Sequence, residues 1–242
     1  MRNNLIKNLK LNPKSDANYS IKNGDDEATI YVYDVIDDYY GVSAEQFVKD
    51  LNEIDAKTVN IRINSPGGDV FGARAMQTAM MQSEKTIVAH VDGVAASAAT
   101  FLAMGADEIR MTDGAFFMIH NAWTLAIGNA QEMRELADFL DKVDGSIAND
   151  YAKKTGENLE DVKALMSAET WFTAAEAKDI GLVDEIVEGK KAKNTFNLDV
   201  YSSVPEQMDE KEGETDDKEL KNAQDCQYEH NLRVFKLLEN AA

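Results

Sequence analysis

Between Thr58 and Ile119 the chain alternates short apolar runs of two-residue period with segments of helical period. No other feature constrains the fold as tightly, because that alternation is the pattern of α/β layering. Thr58–Asn64 reads as a strand with Val59, Ile61 and Ile63 on one face, and it runs into the turn Ser65-Pro-Gly-Gly68. A helix is predicted from about Val70 to Ser83, then a strand over Thr86–Val91 that breaks at Asp92-Gly93. A helix of small residues follows, from about Ser97 to Met104, and then two strands, Ile109–Met111 and Phe116–Ile119. Upstream, Ala28–Asp34 alternates as a strand around Ile30 and Val32. Ser43-Ala-Glu-Gln46 opens a helix in which the serine caps the amide three residues on and Gln46 reaches back. Phe47, Leu51 and Ile54 give that helix its apolar stripe.

Downstream, Ala130–Lys154 forms one long amphipathic helix. Met133, Leu136, Ala137, Leu140, Val143 and Ile147 keep its period, and Gly156 stops it. A short helix over Leu159–Met166 follows. Thr173-Ala-Ala-Glu176 is a second capping box, starting a helix that ends near Gly181, and Leu182–Val187 is the last strand. The expected organisation is a loose polar arm over 1–26, one domain over 27–189, and an appendage over 190–242. In that appendage Pro205–Glu219 is an acidic linker with too little apolar surface to order itself. Asn222–Asn240 carries Leu232, Phe235 and Leu238 on one side of a terminal helix.

Composition narrows the function. Asp and Glu total 44 against 25 Lys and Arg, a net charge of -19, which repels nucleic acid and anionic membrane. The single cysteine, Cys226, allows no internal disulfide, and Met1–Lys14 has no apolar stretch of the kind a secretory signal carries. No run reaches the length of a membrane span, so a cytoplasmic protein is expected. There is no Walker motif, hence no ATP hydrolysis by this chain, and no metal or cofactor is called for.

Two local features carry chemistry. In Gly93-Val-Ala-Ala-Ser-Ala-Ala-Thr100 a strand meets a helix at Ser97. A serine there lies beside unsatisfied amides and a favourable dipole, as an acyl-transfer nucleophile requires, with the amide of Ala98 as an oxyanion donor. Taken alone, such a serine is far more often a helix cap than a nucleophile. In Asn64-Ser-Pro-Gly-Gly-Asp69 adjacent glycines bring bare amides to the surface, able to hold an oxyanion or to pair with an extended peptide. A tight strand-to-helix turn explains the same residues. Of three histidines, His90 sits inside a strand and His230 in the tail, whereas His120 ends the run Phe116–Ile119 where a side chain emerges. Elimination makes His120 the candidate base.

Ile63-Asn-Ser-Pro-Gly-Gly68, Ala95-Ala-Ser97, Met118-Ile-His120, Phe172-Thr-Ala-Ala-Glu-Ala177 and Gly181-Leu-Val-Asp184 occur in that order. Together they resemble the ClpP-type serine peptidases over about residues 28–188, and the wording around Tyr31–Asp34 and Asn64–Val70 is nearest the phage head maturation branch. The resemblance implies an α/β fold of spiral ββα units shared with the crotonases, with the long helix as a handle joining two rings of seven. It implies Ser97 as nucleophile, His120 as base, and the amides of Gly68 and Ala98 as oxyanion donors. Pro66 and Gly67 fall in the substrate-binding loop. The triad acid, usually Asp, corresponds here to Glu169, and the residue after His120 is Asn rather than the usual Gln-Pro.

Protein or peptide substrates are implied, with self-association into rings. A Clp-type unfolding ATPase is general in the housekeeping branch, but the arm over 1–26 does not resemble that branch's gating segment. The readings that compete are a peptidase acting on phage capsid or scaffold protein, a housekeeping subunit degrading unfolded protein, a catalytically silent ring former, and a crotonase-like acyl-CoA enzyme. The last has no need of the serine–histidine pair. The acidic tail favours the first over the second.

Overall fold

The structure, a computed structural model, describes residues 19–189 except 25, 39 and 40, together with 196, 198 and 200–208. Eight strands form one sheet: β1 Tyr19–Asn23, β2 Glu27–Val32, β3 Thr58–Ser65, β4 Thr86–Ala96, β5 Glu108–Thr112, β6 Phe116–Ile119, β7 Thr170–Thr173 and β8 Glu185–Val187. The main order is β1-β2-β3-β4-β5-β8, and from β2 onward these neighbours are parallel. Parallel neighbours require crossovers, and helices supply them: α1 Ala44–Glu53, α2 Val70–Met81 and α3 Ala98–Ala103.

The two-residue period of β3 fixes which face is core. Val59, Ile61, Ile63 and Ser65 are buried while the residues between them are not. Phe47 and Leu51 of α1, Ala73, Met76 and Met80 of α2, and Phe101 and Leu102 of α3 pack in the same cluster. Each large side chain so buried contributes on the order of 1.5–3 kcal/mol. The opposite face is polar. Arg62 pairs with Asp92 through both carboxylate oxygens, Tyr33 donates to the same Asp92, and His90 Nε2 lies 2.9 Å from Asn60 Oδ1. His90 is therefore a half-buried strand residue of that network, and burial lowers its pKa.

Four local expectations change. Ser43 does cap the Gln46 amide, but the Gln46 side chain bonds Asp50 at 2.8 Å, because Asp50 lies one turn on along the same helix face. Asp92-Gly93 does not end its strand. Ile63 pairs with Val91 and Ser65 with Ala95, so extra residues of β4 bulge there, and the Asn64 side chain accepts from Val94 N at 3.1 Å. The continued strand then pairs with β6. The polar segment over 19–23 is β1, antiparallel to β2, with the Tyr19 hydroxyl donating to Asp50 at 2.8 Å. The last strand is shorter than expected, because Leu182 and Val183 are buried in the loop before β8.

The long helix α4 spans Ala130–Thr155, followed by α5 Leu159–Ser167 and α6 Ala174–Asp179. Asn129 and Glu132 form a capping box at the start of α4, and Gly156 closes it in the left-handed conformation at φ 76°. Only the root of α4 is buried, at Ile147, Ala148 and Tyr151. Arg74 of α2 bonds Asp150 at 2.5 Å and Ser146 at 3.2 Å and lies over the Phe101 ring, tying that root to α3. The described residues from 196 to 208 belong to a separate unit, with a short 3-10 turn at Glu206–Met208 inside the expected linker. The expected terminal helix over Asn222–Asn240, with Cys226 and His230, lies outside the described residues.

Candidate active site

Ser97 stands at the junction of β4 and α3 with φ 55° and ψ −125°. A non-glycine residue at positive φ is strained, and such strain persists only where the surroundings fix it. Here the Ser97 amide donates to Met118 O of β6 at 2.9 Å, and the next residue already begins the helix. The hydroxyl makes no cap bond to α3. It lies instead 2.7 Å from Nε2 of His120. The bland reading of Ser97 as a helix cap therefore fails on geometry.

His120 follows β6, where the side chain leaves the sheet. Burial lowers its pKa to about 4, against the opposing pull of the Glu169 carboxylate. An imidazole beside a carboxylate would by itself titrate near or somewhat above the ordinary value of about 6.5. Desolvation outweighs that partner, which leaves the ring neutral at pH 7.

Glu169 is brought to His120 by β7, a strand the sequence reading did not anticipate. β7 runs antiparallel to β6 with Ile119 opposite Thr170, so one further step of the register sets His120 opposite Glu169. Glu169 itself has φ 51°, just after the C-terminus of α5, a position where glycine or asparagine is the usual occupant. Two other carboxylates that follow His120 have partners of their own: Asp144 accepts from Ala122 N at 2.6 Å, while Asp184 accepts from Ile109 N and pairs with Lys154. Asp161 lies in the first turn of α5. Asn121, the residue after His120, donates to Ser167 Oγ at 3.3 Å.

The turn Ser65–Gly68 lies against the serine. Gly67 has φ 94° and Gly68 φ 144°. A Cβ on Gly67 would come within 2.6 Å of Ala96 O and 2.8 Å of Ser97 Cβ, so only glycine permits this approach. Gly67 O accepts from Ile36 N, and Asp69 N donates to Ile36 O at 2.7 Å, so the groups flanking Gly68 face Ile36. By strand alternation the N–H of Gly68 points the other way. The Ser65 hydroxyl braces the turn by accepting from Gly67 N at 3.1 Å. The serine of Ser-Pro-Gly signals such a brace in the sequence, though the sequence reading assigned it no role.

Among the described residues no helix is long and apolar enough to cross a membrane, and no cluster of His, Cys, Asp and Glu could hold a metal ion. Residues 14–190 match the family described as Clp protease. The ATP-dependent Clp protease proteolytic subunit 2 of Corynebacterium glutamicum is 31% identical over 137 residues, covering 56% of this chain and 68% of that one. The corresponding proteolytic subunit of Bacteroides fragilis is 29% identical over 161 residues, covering 65% and 78%. Among solved structures, a ClpP1 variant from Listeria monocytogenes superposes with a TM-score of 0.60 at 24% identity, covering 67% of this chain and 92% of that one. With the ClpP fold and the family match, the chain belongs to the Clp protease family and is a serine-type peptidase.

Proposed function

We propose that this peptidase cleaves peptide bonds within protein chains through an acyl-enzyme on Ser97. The observation that carries the reading is the 2.7 Å contact between Ser97 Oγ and Nε2 of the half-buried His120. Ser97 Oγ attacks the scissile carbonyl while His120 Nε2 takes its proton. The negative charge formed on the carbonyl oxygen is met by the N–H groups of Ala98 and Gly68. Glu169 stabilises the imidazolium and holds its orientation. The imidazolium then protonates the leaving amine, and water attacks the ester by the same route in reverse, freeing the serine. Pro66 and Gly67 shape the loop that meets the substrate backbone. The experiment is labelling with a serine-directed fluorophosphonate. One modified site per chain is expected, lost in Ser97→Ala. A fully labelled Ser97→Ala protein would overturn the assignment.

The handle α4 supports assembly into rings, with two rings stacked through it. Beyond its root it is largely exposed, with Met133 36% and Phe139 47% accessible, and the preceding segment exposes Trp123, Leu125 and Ile127. Apolar surface of that extent requires a partner, and a second copy supplies a matching one. The phage head maturation role is supported by the wording of residues 64–70 and by the acidic segment 205–219. It predicts cleavage of a capsid or scaffold protein with no ATPase or nucleotide added. Cleavage that depends on an unfolding ATPase would favour the housekeeping role instead.

A further inference from the structure

Behind the serine turn lies a buried chain of hydroxyls that the triad does not use. Thr100 Oγ1 lies 2.5 Å from the carbonyl oxygen of Ser97, and the Tyr151 hydroxyl lies 2.6 Å from Thr100 Oγ1. The Thr100 backbone N–H also donates to the Ser97 carbonyl, at 2.9 Å. A carbonyl only accepts, so the single Thr100 hydroxyl proton goes to Ser97 O. Tyr151 must then be the donor to Thr100. The direction of the whole chain is fixed: Tyr151 O–H to Thr100 Oγ1, Thr100 O–H to Ser97 O.

The Ser97 carbonyl and the Ala98 N–H belong to one planar, trans peptide group. Two donors holding the carbonyl oxygen on one side therefore aim the N–H on the other. They also draw electron density toward the oxygen, which makes the N–H a stronger donor, and each bond in a buried chain reinforces the next. Thr100 and Tyr151 are fully buried or nearly so, so solvent does not compete. Ser97 is strained, so its peptide plane needs such restraint.

We propose that Thr100 and Tyr151 are positioning residues that aim and polarise the Ala98 N–H toward the oxyanion, so that the root of the handle helix is wired to the transition state. The inference rests on the reading of Ala98 as an oxyanion donor. Neither residue touches substrate, so the effect belongs in kcat rather than KM.

The test is a mutant cycle on the full-length protein, read with a fluorogenic peptide, a peptide boronate as tetrahedral analogue, and the thermal unfolding midpoint. Removing a direct oxyanion donor costs roughly 10²–10³ in kcat, and an indirect one less. Thr100→Val is expected to lower kcat about tenfold and Tyr151→Phe a few-fold, with KM within about twofold and boronate affinity falling in step with kcat. The double variant should be no slower than Thr100→Val, because both belong to one chain, and Thr100→Ser should restore the rate. Tyr151→Phe keeps the ring and carries the test alone if Thr100→Val does not fold. Wild-type kcat in these variants, with Ser97→Ala inactive, would overturn the inference and leave the nucleophile standing. Losses that simply add, or that follow the unfolding midpoint, would reduce both residues to packing. Activity in Ser97→Ala would instead remove the reading beneath it.

Discussion

At the scale of single residues, three groups test the proposed site. Ser97→Ala exchanges a hydroxyl for hydrogen among small neighbours, so it should fold normally. Peptide hydrolysis should fall by roughly 10³ or more, as when a triad nucleophile is removed, and steady-state turnover checks it. Glu169→Gln keeps size but removes the charge that raises the proton affinity of His120. The expected loss in kcat is roughly 10²–10⁴. Glu169→Gly separates function from strain. At φ 51° glycine relieves the left-handed backbone, so the unfolding free energy should stay within about 1 kcal/mol of wild type while activity drops as in the Gln variant. An active Glu169→Gly protein would show that the acid lies elsewhere. The pH profile gives a further check. The base works only when neutral, so kcat/KM should rise as pH passes about 4 and be level by neutrality. In Glu169→Gln that limb should move to still lower pH. The same depressed pKa acts on stability. Between about 6.5 and 4 the unfolded chain holds a proton on this histidine that the folded one does not, so stability falls as pH falls through that window.

Among the elements, α4 joins two jobs. Its root is fastened by Arg74, Ile147 and Tyr151, while Leu140 is only partly buried by its own chain. Leu140→Asp should therefore leave the protomer folded, with unchanged far-ultraviolet circular dichroism. In the proposed assembly it would place an unpaired charge in an apolar interface, at a cost of a few kcal/mol per site. Light scattering should show dissociation of the variant, and a wild-type protein that is stably monomeric would contradict the proposed assembly. The end of α4 offers a simpler test. A Cβ on Gly156 would meet nothing within 4 Å, so Gly156→Ala meets only the backbone penalty of φ 76°. Destabilisation by about 1 kcal/mol is expected in denaturant unfolding, with activity intact.

For the molecule as a whole, the family match ends at residue 190, and β8 completes the sheet at Val187. Truncation after Gly189 is therefore expected to leave the fold and peptide hydrolysis largely unchanged, as judged by the unfolding midpoint and kcat/KM. An insoluble or inactive product would show that the appendage is part of the working domain. The network of Tyr33, Arg62, Asp92 and His90 covers the sheet face opposite the one that buries Val59, Ile61 and Ile63. That polar face is the reason the strands alternate instead of reading as continuous apolar runs.

The sequence by itself determined most of what depends on neighbours along the chain. The periods of β3 and α4, the cap at Ser43, the box at Thr173 and the stop at Gly156 are local hydrogen-bonding and steric choices, and each stands where its residues place it. Ser97 and His120 stood out less by themselves than by the order and spacing of Ala95-Ala-Ser97 and Met118-Ile-His120, which resemble the ClpP-type peptidases, and the structure sets the two side chains 2.7 Å apart. Three things required the folded chain. The continuation of β4 past Asp92-Gly93 depends on Asn64 and β6, which lie far away in sequence. The short β7 carries no period long enough to read, and its register alone sets Glu169 opposite His120. The pKa of His120 is governed by burial, and the hydroxyl chain from Tyr151 to Ser97 spans two helices. Local propensity is written residue by residue, whereas desolvation and cross-strand register are properties of surfaces that exist only after the sheet has closed.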